Sequence, residues 1–179
     1  MSRTSFDKTP MSNRIHIAVL GRMNAGKSSL INAICRQDVS VVSPIAGTTT
    51  DIVHKAMEIH GLGPVVFIDT PGIDDESVLA EARIARTQRA INKADMALVV
   101  IDATCGVGEP ESALLAELDT KRIPYIAAIN KTDVALVADQ RACVLQKGTS
   151  LVSVSAATGE GVIQLIEYIR TLASQVAVW

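Results

Sequence analysis

The chain is predicted to form an α/β domain of three layers, with a six-stranded, mostly parallel sheet carrying one antiparallel edge strand and helices on both faces. Three observations carry this expectation. Short apolar runs alternate with helical patterns from Arg14 onward, the signature of parallel strands joined by crossover helices. Hydrophobic residues make up 48% of the 179 residues but aromatics only 3%, so the core is Val, Ile, Leu and Ala, as suits a sheet buried on both faces. Finally, Gly21-Arg22-Met23-Asn24-Ala25-Gly26-Lys27-Ser28 stands between the first apolar run and the first helical pattern. It fits G-x-x-x-x-G-K-S/T, a phosphate-binding loop in its required strand–loop–helix setting.

The elements follow in order. Strands are expected at 15–20, 65–69, 97–102, 125–130 and 151–154, each closing on a polar or Gly-rich turn. Helices are expected at 27–36, 78–92, 111–121, 134–146 and 161–174. A further strand at 52–60 is joined to the next by Gly61-Leu62-Gly63-Pro64. So short a link permits only an antiparallel hairpin. Residues 1–13 are polar and lack the apolar stretch of a signal peptide, and read as a flexible arm before a single domain at 14–179. No apolar run reaches membrane-spanning length, and a cytoplasmic setting is expected. The net charge of −2 gives no sign of a nucleic-acid footprint. Cys35, Cys105 and Cys143 are far apart in the chain and read as reduced thiols, with no iron–sulfur cluster.

Ligands of open α/β sheets sit beyond the carboxyl ends of the strands, and that is where the remaining polar motifs fall. In the first loop, backbone N–H groups of Asn24, Ala25, Gly26 and the start of the helix can surround a polyphosphate, with Ser29 beside them. Lys27 can reach the β- and γ-phosphates, and the Ser28 hydroxyl can ligate Mg²⁺. Asp69-Thr70-Pro71-Gly72 ends the strand 65–69. Asp69 can hold the same ion through water, and the Gly72 N–H can sense a γ-phosphate. In Gly47-Thr48-Thr49-Thr50-Asp51, a threonine could complete the Mg²⁺ shell; a Thr-rich strand start would look the same.

Asn130-Lys131-Thr132-Asp133 selects the base. Asp133 can accept from guanine N1–H and N2–H₂, a donor pair adenine lacks. The Lys131 stem can cover the ring, and Asn130 can tie this loop to the phosphate loop. In Ser155-Ala156-Ala157 the Ala156 N–H is a candidate donor to guanine O6, although a helix cap would show the same residues.

In this order the motifs resemble the P-loop GTP-binding domain of translation-factor-like small GTPases, a Ras-like G domain, over nearly all of the chain after Asn13. The resemblance implies GTP and GDP with Mg²⁺, slow hydrolysis, Thr49 rather than Thr48 as the switch threonine, and catalytic contributions from Lys27, Asn24, Thr49 and Gly72. Ile73 stands where Ras-like members carry a water-orienting Gln, which is similar to the group containing MnmE, Era and Der. In potassium-activated relatives an Asn at the place of Asn24 binds K⁺, which could neutralise developing charge; equally, Asn24 could only brace the loop.

The run from Lys55 to Asp75 looks like HydF, the GTPase of FeFe-hydrogenase maturation. That resemblance implies maturation partners, and dimerisation and cluster-binding domains after the GTPase domain. Neither domain lies in this chain, whose apolar end at Trp179 reads as a domain boundary. The alternative is a tRNA-modification or ribosome-assembly factor. The acidic Asp74-Asp75-Glu76 reads as a solvated turn or a nucleotide-dependent partner contact.

Overall fold

The computed structural model describes residues 14–37, 39–44, 53–70, 80–134 and 150–176. Alternating strands and helices build one sheet: β1 (Ile15–Gly21), α1 (Lys27–Arg36), β2 (Val39–Pro44), β3 (Val53–Ile59), β4 (Gly63–Asp69), α2 (Ala80–Lys93), β5 (Met96–Asp102), α3 (Glu109–Thr120), β6 (Tyr125–Asn130), β7 (Ser150–Ser153) and α4 (Val162–Val176). Among the described residues the order is β2-β3-β4-β1-β5-β6-β7. All neighbours from β4 to β7 are parallel, and β3 runs antiparallel to both β4 and β2.

The three-layer architecture expected from the sequence is the one found, with a seventh strand added. β3 forms the expected hairpin with β4, from Val53 opposite Asp69 to Ile59 opposite Gly63. It is not the edge, because β2 pairs along its outer side with an irregularity between Val41 and Pro44. A strand's outer N–H and C=O groups are open to such pairing, and the resulting edge tolerates proline. The expected helix at 134–146 lies, after Val134, outside the described residues, as do the arm at 1–13, Thr48, Thr49, Gly72, Ile73 and the acidic triplet.

Strand alternation sends side chains to two buried faces. Ile17, Val19, Phe67, Leu98 and Ala128 pack with Leu30, Ile31 and Ile34 of α1 and Leu165 and Ile169 of α4. Ala18, Leu20, Ile68, Val99 and Ile129 pack with Ile91 of α2 and Leu114 and Leu118 of α3. The aliphatic sequence thus fills both sides of a parallel sheet. Among the described residues no helix is long and apolar enough to cross a membrane.

The parallel strands β1, β4, β5 and β6 all end at the same side, so the loops after Gly21, Asp69, Asp102 and Asn130 converge there. Phe67 is fully buried in the face shared with α1 and α4. Phe67→Ala removes a large side chain with little freedom for the sheet to collapse, and urea denaturation should show a loss of about 3–5 kcal/mol.

Candidate nucleotide site

Residues at the strand ends make the site. β1 ends at Gly21, whose φ is 149°. A Cβ there would lie 2.3 Å from the Val100 carbonyl of β5, so the close approach of two strands requires glycine. The loop then turns through Asn24 at φ 61° and Gly26 at φ 90°. Asn is among the residues that adopt this left-handed conformation most readily. Helix α1 follows with no acidic side chain in its first turn, so the partial positive charge of its N-terminus is preserved for an anion. Lys27 is buried, and its Nζ donates to the carbonyls of Gly21 at 3.1 Å and Arg22 at 2.6 Å. These carbonyls aim the ammonium at the loop.

Ser28 Oγ donates to Asp69 Oδ2 at 2.6 Å, so the two expected metal-binding residues meet. The other Asp69 oxygen, Oδ1, is buried without a hydrogen-bond partner among the described residues. A hydroxyl beside a carboxylate with an unsatisfied buried oxygen suits a hard cation with oxygen ligands. These groups therefore fit Mg²⁺, which supplies charge neutralisation at the β- and γ-phosphates when bound. Thr70 Oγ1 donates to the Val19 carbonyl at 2.6 Å, fixing the exit of β4 against β1.

Asn130 is buried at the end of β6. Its Nδ2 donates to the Ala25 carbonyl at 3.0 Å, and its Oδ1 accepts from the Ala156 N–H at 2.9 Å. One side chain thus joins the phosphate loop, the base motif and the loop after β7. The Ala156 N–H, expected as a candidate donor to guanine O6, is thus also within hydrogen-bond reach of Asn130. Ser155 is fully buried; its Oγ donates to Asp133 Oδ1 at 2.7 Å and orients that exposed carboxylate.

Two adjoining cavities lie over these loops. One, of about 460 Å³, is lined on its base side by Asn130, Lys131, Asp133, Ala156 and Ala157. The other, of about 390 Å³, is lined by Asn24, Lys27, Ser28 and Thr70. Gly26, Ser29 and Lys131 line both. The sequence-predicted residues that are described therefore form a single continuous site.

Several of its residues were not read from the sequence. Arg22 occupies a variable position of the loop pattern, yet its guanidinium grips Glu111 of α3 with Nε–Oε1 at 2.5 Å and Nη2–Oε2 at 2.8 Å. Asp102 ends β5 and accepts from Lys131 Nζ at 2.5 Å. A polar residue at a strand's carboxyl end was the available signal for Asp102. Burial raises the Asp102 pKa, but the Lys131 and Thr104 hydrogen bonds outweigh it, so the carboxyl lies below its ordinary value. Of the described cysteines, Cys35 is half-buried, its thiol pushed up by burial, and Cys105 is exposed.

The family model described as 50S ribosome-binding GTPase matches residues 16–131. The chain belongs to this GTPase family. Its relatives include GTPase Der of Solidesulfovibrio magneticus, 38% identical over 166 residues, covering 85% of this chain and 37% of that protein. The tRNA modification GTPase MnmE of Chromobacterium violaceum is 37% identical over 149 residues, covering 83% and 32%. Among solved structures, Era in complex with MgGDPNP and a segment of 16S ribosomal RNA superposes with a TM-score of 0.71 at 29% identity, over 87% of this chain and 55% of that one. The G domain of the T. maritima FeoB iron transporter gives 0.64 at 27% identity, over 92% and 99%. The chain spans about a third of the length of the curated relatives.

This is a GTPase domain of the MnmE, Era and Der type, a fold and family that imply guanine nucleotide and Mg²⁺. The relatives named here bear on the alternative drawn from the sequence, RNA modification or ribosome assembly. They lend nothing to the narrower HydF resemblance.

The depressed Asp102 pKa has a stability consequence. A carboxyl lowered on folding contributes stability that is present above its unfolded value, about 3.9, and lost as pH falls through its folded value. Melting temperatures of Asp102→Asn and the parent chain should differ most near neutrality and converge in acid below that value.

Proposed function

We propose that this domain hydrolyses GTP slowly as the nucleotide switch of a longer protein acting in tRNA modification or ribosome assembly. The observation that carries the nucleotide reading is the Asn130 bridge. It sets a phosphate cavity holding Lys27 and Ser28 beside a base cavity holding Asp133. The biological setting is supported by Der, MnmE and Era, the RNA in the Era complex included.

In this reading Lys27 and the α1 N-terminus bind the phosphates, while Ser28 and Asp69 hold Mg²⁺. Asp133 reads N1–H and N2–H₂ of guanine. Thr49 and Gly72 answer to the γ-phosphate, so that segments 37–50 and 70–80 change order with the nucleotide. Ile73 cannot orient water, which leaves turnover near the unassisted end of this class. Asn24 is exposed and lines the phosphate cavity, where its amide oxygen could share a K⁺ ion with the phosphates and supply charge neutralisation.

A second reading, hydrogenase maturation, rests on the run from Lys55 to Asp75. The parent open reading frame separates the two. A downstream cluster-binding domain with a cysteine set favours maturation, and an RNA-binding or tRNA-modifying domain favours the first.

Two measurements test the chemistry. Asp133→Asn should transfer preference from guanosine to xanthosine nucleotides, read by competition binding; unchanged GTP use would overturn the base assignment. Replacing Na⁺ by K⁺ should raise phosphate release about tenfold or more, and Asn24→Ala should abolish the difference. Equal rates in both salts would remove Asn24 from the cation site.

A further inference from the structure

The connection from β5 to α3, residues 102–108, lies between two buried carboxylates, Asp102 at its start and Glu111 in the first turn of α3. At its start, Asp102 Oδ2 accepts from Lys131 Nζ at 2.5 Å, and Asp102 Oδ1 accepts from both the N–H and the Oγ1 of Thr104. At its end, Arg22 of the phosphate loop holds Glu111, which is 1% exposed, through both carboxylate oxygens. Glu111 Oε2 also accepts from the Gly108 N–H at 2.8 Å, closing the first turn of α3.

Backbone hydrogen bonds tie the first part of the connection. The N–H groups of Cys105 and Gly106 return to the Asp102 carbonyl at 3.1 and 2.9 Å, and the Ala103 N–H donates to the Asn130 carbonyl at 2.9 Å. At Gly108 a Cβ would lie 2.4 Å from Arg22 Nη2, so the guanidinium crosses the backbone in contact. A fork–fork pair with a buried carboxylate fixes orientation as well as distance. A charge buried beside a lost partner is costly, so neither end releases its partner cheaply.

We propose that this connection is a strut coupling the phosphate and base subsites, with Arg22 and Glu111 as positioning residues at one end and Asp102 at the other. The strut sets the phosphate loop through Arg22, whose carbonyl receives Lys27 Nζ. It sets the base motif through Lys131, which sits at φ 66° and lines both cavities. Moving either end therefore moves the other. The inference rests on the guanine-nucleotide reading and adds to it that the two halves of the ligand are not bound independently.

Competition binding of GDP, GMP and inosine diphosphate to the full chain tests this. GMP lacks the β-phosphate, and the inosine base lacks the N2 amine. Glu111→Gln should weaken GDP about tenfold and GMP by less, and should also lower the preference for GDP over inosine diphosphate. Asp102→Asn, at the base end, should lower both ratios too. Arg22→Lys, which leaves Glu111 a cation, should repeat the Glu111→Gln pattern and carries the test if that variant does not fold. The strut is overturned if each change moves only the ratio of its own end, or if all three nucleotides weaken by one common factor, as a merely structural role would give. Failure of the unaltered chain to bind GDP would instead overturn the nucleotide reading itself.

Discussion

One buried amide organises the whole site. Asn130 has both polar ends sealed from water, and such a group costs free energy unless both are bonded. Here Nδ2 takes the Ala25 carbonyl and Oδ1 takes the Ala156 N–H. Three loops from three strand ends must therefore adopt one mutual arrangement, or leave a buried donor or acceptor unmet. The constraint reaches back into the glycine pattern. A Cβ on Gly26 would stand 2.3 Å from Asn130 Nδ2, so Gly26 is glycine for this contact as well as for its backbone conformation. The phosphate loop is thus shaped by the base motif even before any phosphate is considered.

Charge is arranged around that amide in an orderly way. Lys131, which lines both cavities, is balanced by Asp102, and Arg22 by Glu111. Lys27 is aimed by two carbonyl dipoles, which orient its ammonium without cancelling its charge. The α1 first turn is free of acidic side chains, so the helix N-terminus keeps its partial positive charge beside the cavity that Lys27 lines.

Much of the fold was legible because each signal was local. Helix 27–36 and strand 125–130 were read with the bounds the structure gives them, since apolar periodicity and flanking turns are properties of adjacent residues. The motif residues Lys27, Ser28, Asp69, Asn130 and Asp133 were legible for a related reason: their residue types and their places at strand ends constrain each other. β2 was not legible, because a short edge strand containing Pro44 takes its stability from a partner more than ten residues away. Arg22 and Glu111 were hidden for the same cause at greater range, being 89 residues apart in sequence. The bond from the Ala156 N–H to Asn130 was hidden likewise, the two being 26 residues apart.

The β3–β4 hairpin gives the site its last constraint. Val53 pairs directly with Asp69, so the chain re-enters the sheet beside the carboxylate that fits the metal. Thr49 stands four residues before Val53 in the sequence, a tether of at most about 14 Å. Thr49 is thereby kept within that length of chain from the strand position opposite Asp69. The antiparallel pair that breaks the parallel order of the sheet therefore also fixes the point where the chain re-enters beside Asp69.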